Sequence, residues 1–184
     1  MKTLIPFCLL AVTSVRLLAQ QPPHACQPVK VTSYGTAVAN VSNRVSAAYS
    51  GNVAITVNAS CDPNSESGPR PGGLLTLNFA AGDSGRTITA TSVAQLISTG
   101  GAVPAAYMSG PCQVQTTGGT PASCHYWIMF AQVNTNPTTG PAIAAGTQAS
   151  GIVGLRVVDG LGKPLVYGAG LVGSGRISVT SPGY

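Results

Sequence analysis

Ten residues, Cys124-His125-Tyr126-Trp127-Ile128-Met129-Phe130-Ala131-Gln132-Val133, hold the only Trp of the chain and no side chain that is always charged at neutral pH. A helix needs about 20 residues to cross a bilayer, so this run is too short for a span. Its aromatic and branched side chains suit a pleated sheet. The run predicts a long strand buried on both sides, with Trp127 in core packing rather than on display. Cys112 lies upstream across Gly118-Gly119-Thr120-Pro121, which predicts a hairpin closed by a disulfide.

Short strands punctuated by turn residues fill the rest of the chain. Val29 to Tyr34 alternates as a first strand, and residues 35 to 52 form a soft Ala-, Ser- and Asn-rich stretch. Val53, Ile55, Val57 and Ala59 then mark one face of a strand that runs into Cys61. Leu75, Leu77 and Phe79 face inward on the next strand, and Ile88 on its return. Val93, Leu96 and Ile97 have helical spacing after Ser92, so 93–98 predicts one short helix or a continuing strand. Ile152 to Val158, the turn Asp159-Gly160-Leu161-Gly162, Pro164 to Tyr167 and Arg176 to Thr180 close the sheet. Seven or eight strands with Gly and Pro between them predict a single all-β domain over 29–184, a β-sandwich.

The first nineteen residues have the form of an export signal: Lys2, an apolar stretch from Leu4 to Leu18, and Ala19 before the cleavage point. Residues 20–28 form a leader. Cys8 leaves with the signal, so Cys26, Cys61, Cys112 and Cys124 remain, and an even number in an exported chain implies two disulfides. Of three connectivities, Cys26–Cys61 and Cys112–Cys124 are favoured because each pair flanks an expected strand pairing. A zinc site is the rival, but no CxxC occurs and only His24 and His125 are available to assist. The expected location is therefore secreted or cell-surface.

Charge is scarce: nine Lys and Arg, four Asp and Glu, a formal +5. The basic residues are scattered, which argues against nucleic-acid binding. A surface of Ser, Thr, Asn, Gln, Gly and Ala suits an extracellular wall, filament or coat.

Catalytic motifs fail on inspection. Gly82-Asp83-Ser84-Gly85 is similar to the nucleophile motif of trypsin-like proteases, with His24 and Asp62 as partners, but Arg86 stands where Gly is expected. A hairpin turn explains these residues. Gly168-Ala169-Gly170-Leu171-Val172-Gly173 matches a dinucleotide fingerprint, yet the chain after it has no room for the required helix and strand and no acid. Glycines at a bulged turn or an edge strand explain it better. Asp62, Glu66, Asp83 and Asp159 lie in expected turns, a poor source of paired carboxylates. Asn40-Val41-Ser42 and Asn58-Ala59-Ser60 satisfy the glycan sequon. No cofactor and no metal are implied.

Two resemblances narrow the fold. Val157-Val158-Asp159-Gly160-Leu161-Gly162-Lys163-Pro164-Leu165-Val166-Tyr167-Gly168-Ala169, within 150–180, resembles the strand–turn–strand of bacterial immunoglobulin-like surface modules. Residues 26–61, with Tyr34-Gly35 between two cysteines and a strand running into the second, resemble the opening of spore-coat-U and pilin-type proteins, whose ending Tyr184 also suits. Both imply an immunoglobulin-like or pilin-like sandwich used for adhesion or assembly, with no catalytic residue to carry over. Pro22 and Pro23 make the leader a poor donor strand. The domain is expected to complete its own sheets and to be a monomer in dilute solution.

The function expected is that of a non-enzymatic surface, coat or adhesion module acting on an extracellular protein partner. The alternative is an exported carbohydrate- or ligand-binding domain with Tyr34, Tyr107 and Tyr126 as candidate contacts.

Overall fold

The computed structural model describes residues 26, 28–62, 69–80, 85–99, 104–132 and 151–180. The export signal, His24, Glu66, Asp83, Ser84, the expected loop at 134–150 and Tyr184 lie outside them.

Period-two alternation dominates the described residues and makes nine strands: β1 (Lys30–Asn43), β2 (Gly51–Asp62), β3 (Arg70–Phe79), β4 (Arg86–Ala90), β5 (Gln95–Ser98), β6 (Ala105–Thr116), β7 (Ala122–Gln132), β8 (Gly151–Asp159) and β9 (Pro164–Thr180). All pairings between them are antiparallel. Each strand pairs with the next in sequence except at β4 and β5, which lie end to end along the same edge of β6. Taken together, β4 and β5 are one interrupted strand. The ring is then an eight-stranded up-and-down barrel, closed where β1 meets β9.

The expectation of an all-β domain holds, but the sheet is a closed barrel rather than a sandwich. What turned the prediction was long-range pairing, since strand content is the same in either architecture. The stretch 168–173, expected as a bulged turn or an edge strand, continues β9 as one strand of 17 residues between β8 and β1. A Cβ on Gly168 would run into the carbonyl oxygen of Ser42, and one on Gly170 into that of Asn40. Glycine is what lets β9 lie this close to β1. Likewise the soft stretch after Tyr34 belongs to β1, whose alternation is interrupted by bulges against both neighbours.

Residues 93–98 are not helical. Leu96 is fully buried while Gln95 and Ile97 are half-exposed, the signature of strand β5. Between β4 and β5 the chain jogs at Thr91–Ala94. The Thr91 and Ala94 amides still donate to β6, at the carbonyls of Pro111 and Ser109 (3.0 and 2.8 Å). Gly110 leaves the Ser92 carbonyl room to approach, and the Tyr126 hydroxyl donates to that carbonyl at 3.1 Å.

Inside the ring, Val53, Ile55, Val57, Leu75, Leu77, Phe79, Ile88, Met108, Tyr126, Ile128, Phe130, Val153 and Val157 form one core. Each large side chain so buried contributes about 1.5–3 kcal/mol. A 3₁₀ turn at Ala47–Tyr49 folds Tyr49 edge-on against Phe79, ring centroids 5.2 Å apart, with the Arg86 guanidinium over the tyrosine ring. Burial raises the Tyr49 pKa, and Arg86 partly opposes the rise. Outward positions on β2 to β4 include Thr56, Asn58, Thr76, Asn78, Thr87 and Thr89. This polarity is the reverse of a lipid-spanning barrel, whose outward band is apolar. Strands β2 and β8 each have both neighbours, so neither borders an open slot for a donor strand.

The favoured cysteine pairs are the ones that meet. Cys112 and Cys124 are direct cross-strand partners with Cα atoms 4.8 Å apart, and Cys26 ties the chain before β1 to the end of β2 across 5.6 Å. Intact mass of the protein isolated without reductant should therefore fall four hydrogens below the reduced value; four alkylatable thiols would contradict it. Replacing Cys112 and Cys124 together by Ala should cost about 3 kcal/mol in urea unfolding.

Candidate functional site

The central strand does not bury both faces. Along β7, Cys124, Tyr126, Ile128 and Phe130 point into the barrel, while His125, Trp127 and Met129 stand on the outside. Tyr126, a candidate contact from sequence, is thereby fully buried, and burial raises its hydroxyl pKa so that it stays protonated. Trp127, expected in the core, is half-exposed instead. The signal was present in the sequence: a large apolar side chain at every second position, Tyr126 with Ile128 and Phe130 on one face, leaves Trp127 on the other.

Register across β6 to β9 sets the outer face in rows. One row runs Ser109, Trp127, Arg156, Tyr167. The next runs Tyr107, Met129, Gly154, Ala169 and, on β1, Ser42. The second row begins with two large side chains and ends with three small ones. A trough opens above Gly154, Ala169 and Ser42, bounded by Tyr107 and Met129 at one end and by Trp127, Arg156 and Tyr167 along its side. Its volume is about 680 Å³, and Arg44 also lines it. That size lies in the range of small-molecule sites, about 300–1,000 Å³.

Glycine at 154 is not required by the backbone. A Cβ there would meet only the Met129 side chain, at ordinary contact distances of 3.6 and 3.8 Å. Here the missing side chain creates space instead of permitting a close backbone approach, in contrast to Gly168.

The wall of the trough is built as a stack. The Arg156 guanidinium carbon lies 4.9 Å from the Trp127 ring centroid, and the His125 ring lies 4.5 Å from it on the same strand face. Burial lowers the His125 pKa, so the imidazole is neutral at neutral pH. Arg156 is exposed at its outer side, and among the described residues neither it nor Arg44 has a carboxylate partner. Asp159, the acid nearest along β8, is engaged by the β8–β9 turn, where its carboxylate accepts the amides of Leu161 (2.9 Å) and Lys163 (2.8 Å).

Asn43, at the exit of β1, fixes the far end. Its side-chain oxygen accepts the amides of Tyr167 (2.9 Å) and Val45 (3.1 Å), and its amide nitrogen donates to the Ser46 and Leu165 carbonyls. The Arg44 amide in turn donates to the Tyr167 carbonyl at 2.9 Å. Sequence reasoning passed over Asn43, because a lone Asn in a Ser- and Ala-rich stretch carries no local signal of contacts 122 and 124 residues away.

Of the three tyrosines expected to touch a ligand, only Tyr107 lines the trough. Tyr34 is 64% exposed near the opposite end of β1, its ring facing the Arg176 guanidinium at 5.9 Å. Among the described residues no three His, Cys, Asp or Glu side chains gather as metal ligands.

No family model, curated protein or solved structure matches this chain.

Two outcomes follow from this geometry. Asn43→Ala removes several hydrogen bonds worth about 1 kcal/mol each, so a loss of about 2–4 kcal/mol is expected in urea unfolding. For His125, the NMR pKa in the folded protein should lie below the ordinary 6.5. The unfolded chain then binds the proton more readily, so this group's contribution to stability declines as pH falls from above 6.5 through the folded pKa. A folded pKa at or above 6.5 would contradict the partly buried, neutral imidazole.

Proposed function

We propose that this protein is an exported, non-enzymatic binding module that holds a carbohydrate in the trough on the outer face of β6 to β9. The observation that carries the reading is the combination at Gly154: a strand-centre glycine whose Cβ would fit, opening a concave site walled by Trp127, Tyr107 and Tyr167. Sugars present both apolar C–H faces and hydroxyls. A shallow site with aromatic rings and Ser42, Arg44 and Arg156 as polar groups meets both needs. The two disulfides and the scarcity of charge are compatible with work outside the cell.

A second reading, a surface or adhesion module acting through protein contact, draws support from the row beyond the trough. There Leu171, 39% exposed, pairs with Ile152 next to Met129, 40% exposed, and Tyr167, 55% exposed. Such a face can seat a protein. Edge-to-edge strand addition is not its route, because the closed ring offers no long free edge among the described residues.

Trp127 is the only Trp in the chain, so its emission reports the trough directly. A saturable change of emission on titration with neutral and acidic oligosaccharides is expected. Gly154→Val fills the trough while suiting a strand, so it should fold normally and weaken saccharide binding by at least about tenfold, or ~1.4 kcal/mol. Saccharide affinity unaffected by Gly154→Val would remove the trough as the site. Concentration-dependent self-association or capture of a folded protein, with no saccharide signal, would favour the second reading.

A further inference from the structure

Resting on the carbohydrate reading, we infer that the ligand is an acidic oligosaccharide whose carboxylates are held by Arg156 and Arg44. Both arginines line the trough, and no described acidic side chain lines it with them. A neutral sugar needs no such excess. Each arginine is exposed with no described carboxylate beside it, and a carboxylate entering the trough would accept charge-assisted hydrogen bonds from them.

Their arrangement also fits. Arg156 on β8 and Tyr167 on β9 are cross-strand partners, and Arg44 follows the end of β1 with its backbone bonded to Tyr167. The two arginine backbones therefore flank Tyr167, about two strand spacings or roughly 10 Å apart along the row, with the Arg156 guanidinium set against Trp127. The Trp127 ring, 4.9 Å from the guanidinium carbon, restrains the Arg156 side chain. A planar guanidinium so held presents its N–H fork to a carboxylate without first losing rotamer freedom. The ring of Tyr167 between them gives a sugar face a place to rest while its acid groups reach either side. An extended chain of uronic acid residues presents that pattern: chair-form rings with a C–H face and one carboxylate on each.

The test uses the full exported protein, read through Trp127 emission and calorimetry. The probes are a uronic acid tetrasaccharide, the same tetrasaccharide with every carboxyl methyl-esterified, a sulfated tetrasaccharide and a glutamate hexapeptide. The free acid is expected to bind about tenfold or more tightly than its ester, with affinity falling as salt rises. Arg156→Gln and Arg44→Gln should each remove most of that preference, while thermal unfolding stays close to that of the parent protein. Equal or better binding of the ester would overturn the acidic-ligand inference and leave a carbohydrate site standing. Preference for the sulfated sugar or for the glutamate peptide would overturn the carboxylated-sugar assignment and name the anion instead. Binding of no saccharide, charged or neutral, would overturn this inference together with the reading beneath it.

Discussion

Closure between β1 and β9 is the contact on which the rest of this molecule depends. Without it the sheet would be an open, strongly twisted ribbon with two free edges, and β1 would keep only its pairing with β2. With it, β1 and β9 have neighbours on both sides, and the inward side chains of the strands converge on one core. The contact is made possible by glycine. At Gly168 and Gly170 the β1 carbonyls of Ser42 and Asn40 occupy the space a side chain would need. Any residue with a Cβ would push β9 away at its midpoint, where the ring has to close.

The same contact builds the trough. Tyr167 and Ala169 flank Gly168 on β9, and Ser42 and Arg44 lie across from them at the end of β1. Asn43 locks the two segments with hydrogen bonds in both directions, so the wall and the closure of the barrel are one piece of structure. On the other side, β7 contributes Trp127 and Met129 because its partner face is committed to the core through Tyr126, Ile128 and Phe130. The outer site is thus a consequence of how strictly the inner one is filled. A single strand position without a side chain, Gly154, turns a convex barrel wall into a concavity.

Much of the local structure was legible in the chain. Alternation at Val53 to Ala59 and at Ile152 to Val158, the Asp159–Gly162 turn and both disulfides follow from side-chain period, turn chemistry and cysteine spacing. Architecture was not, because sandwich and barrel use the same strands and differ in which distant strands pair. The glycines of 168–173 were the obstacle: as residues of a bulged turn or an edge strand, they hid the long strand that seals the ring. The site was half-visible. Tyr107 was identified, Tyr126 was placed on the wrong face, and Trp127 was assigned to the core because its neighbours are apolar in both directions. Only the cross-strand partners Arg156 and Gly154, which no local window contains, show that its face is open. Asn43, Arg44 and Arg156 were out of reach for the same reason.

The central claim is one of place: ligand is held on the outer face of β6 to β9, above Gly154. Mapping backbone and indole N–H chemical-shift changes at saturating uronic acid oligosaccharide tests it most directly. The account predicts shifts concentrated at Tyr107, the Trp127 indole, Gly154, Arg156, Tyr167, Ala169 and Arg44, with the Thr- and Asn-rich face of β2 to β4 unmoved. Shifts centred on that polar face, or on Tyr34 and Arg176, would contradict it.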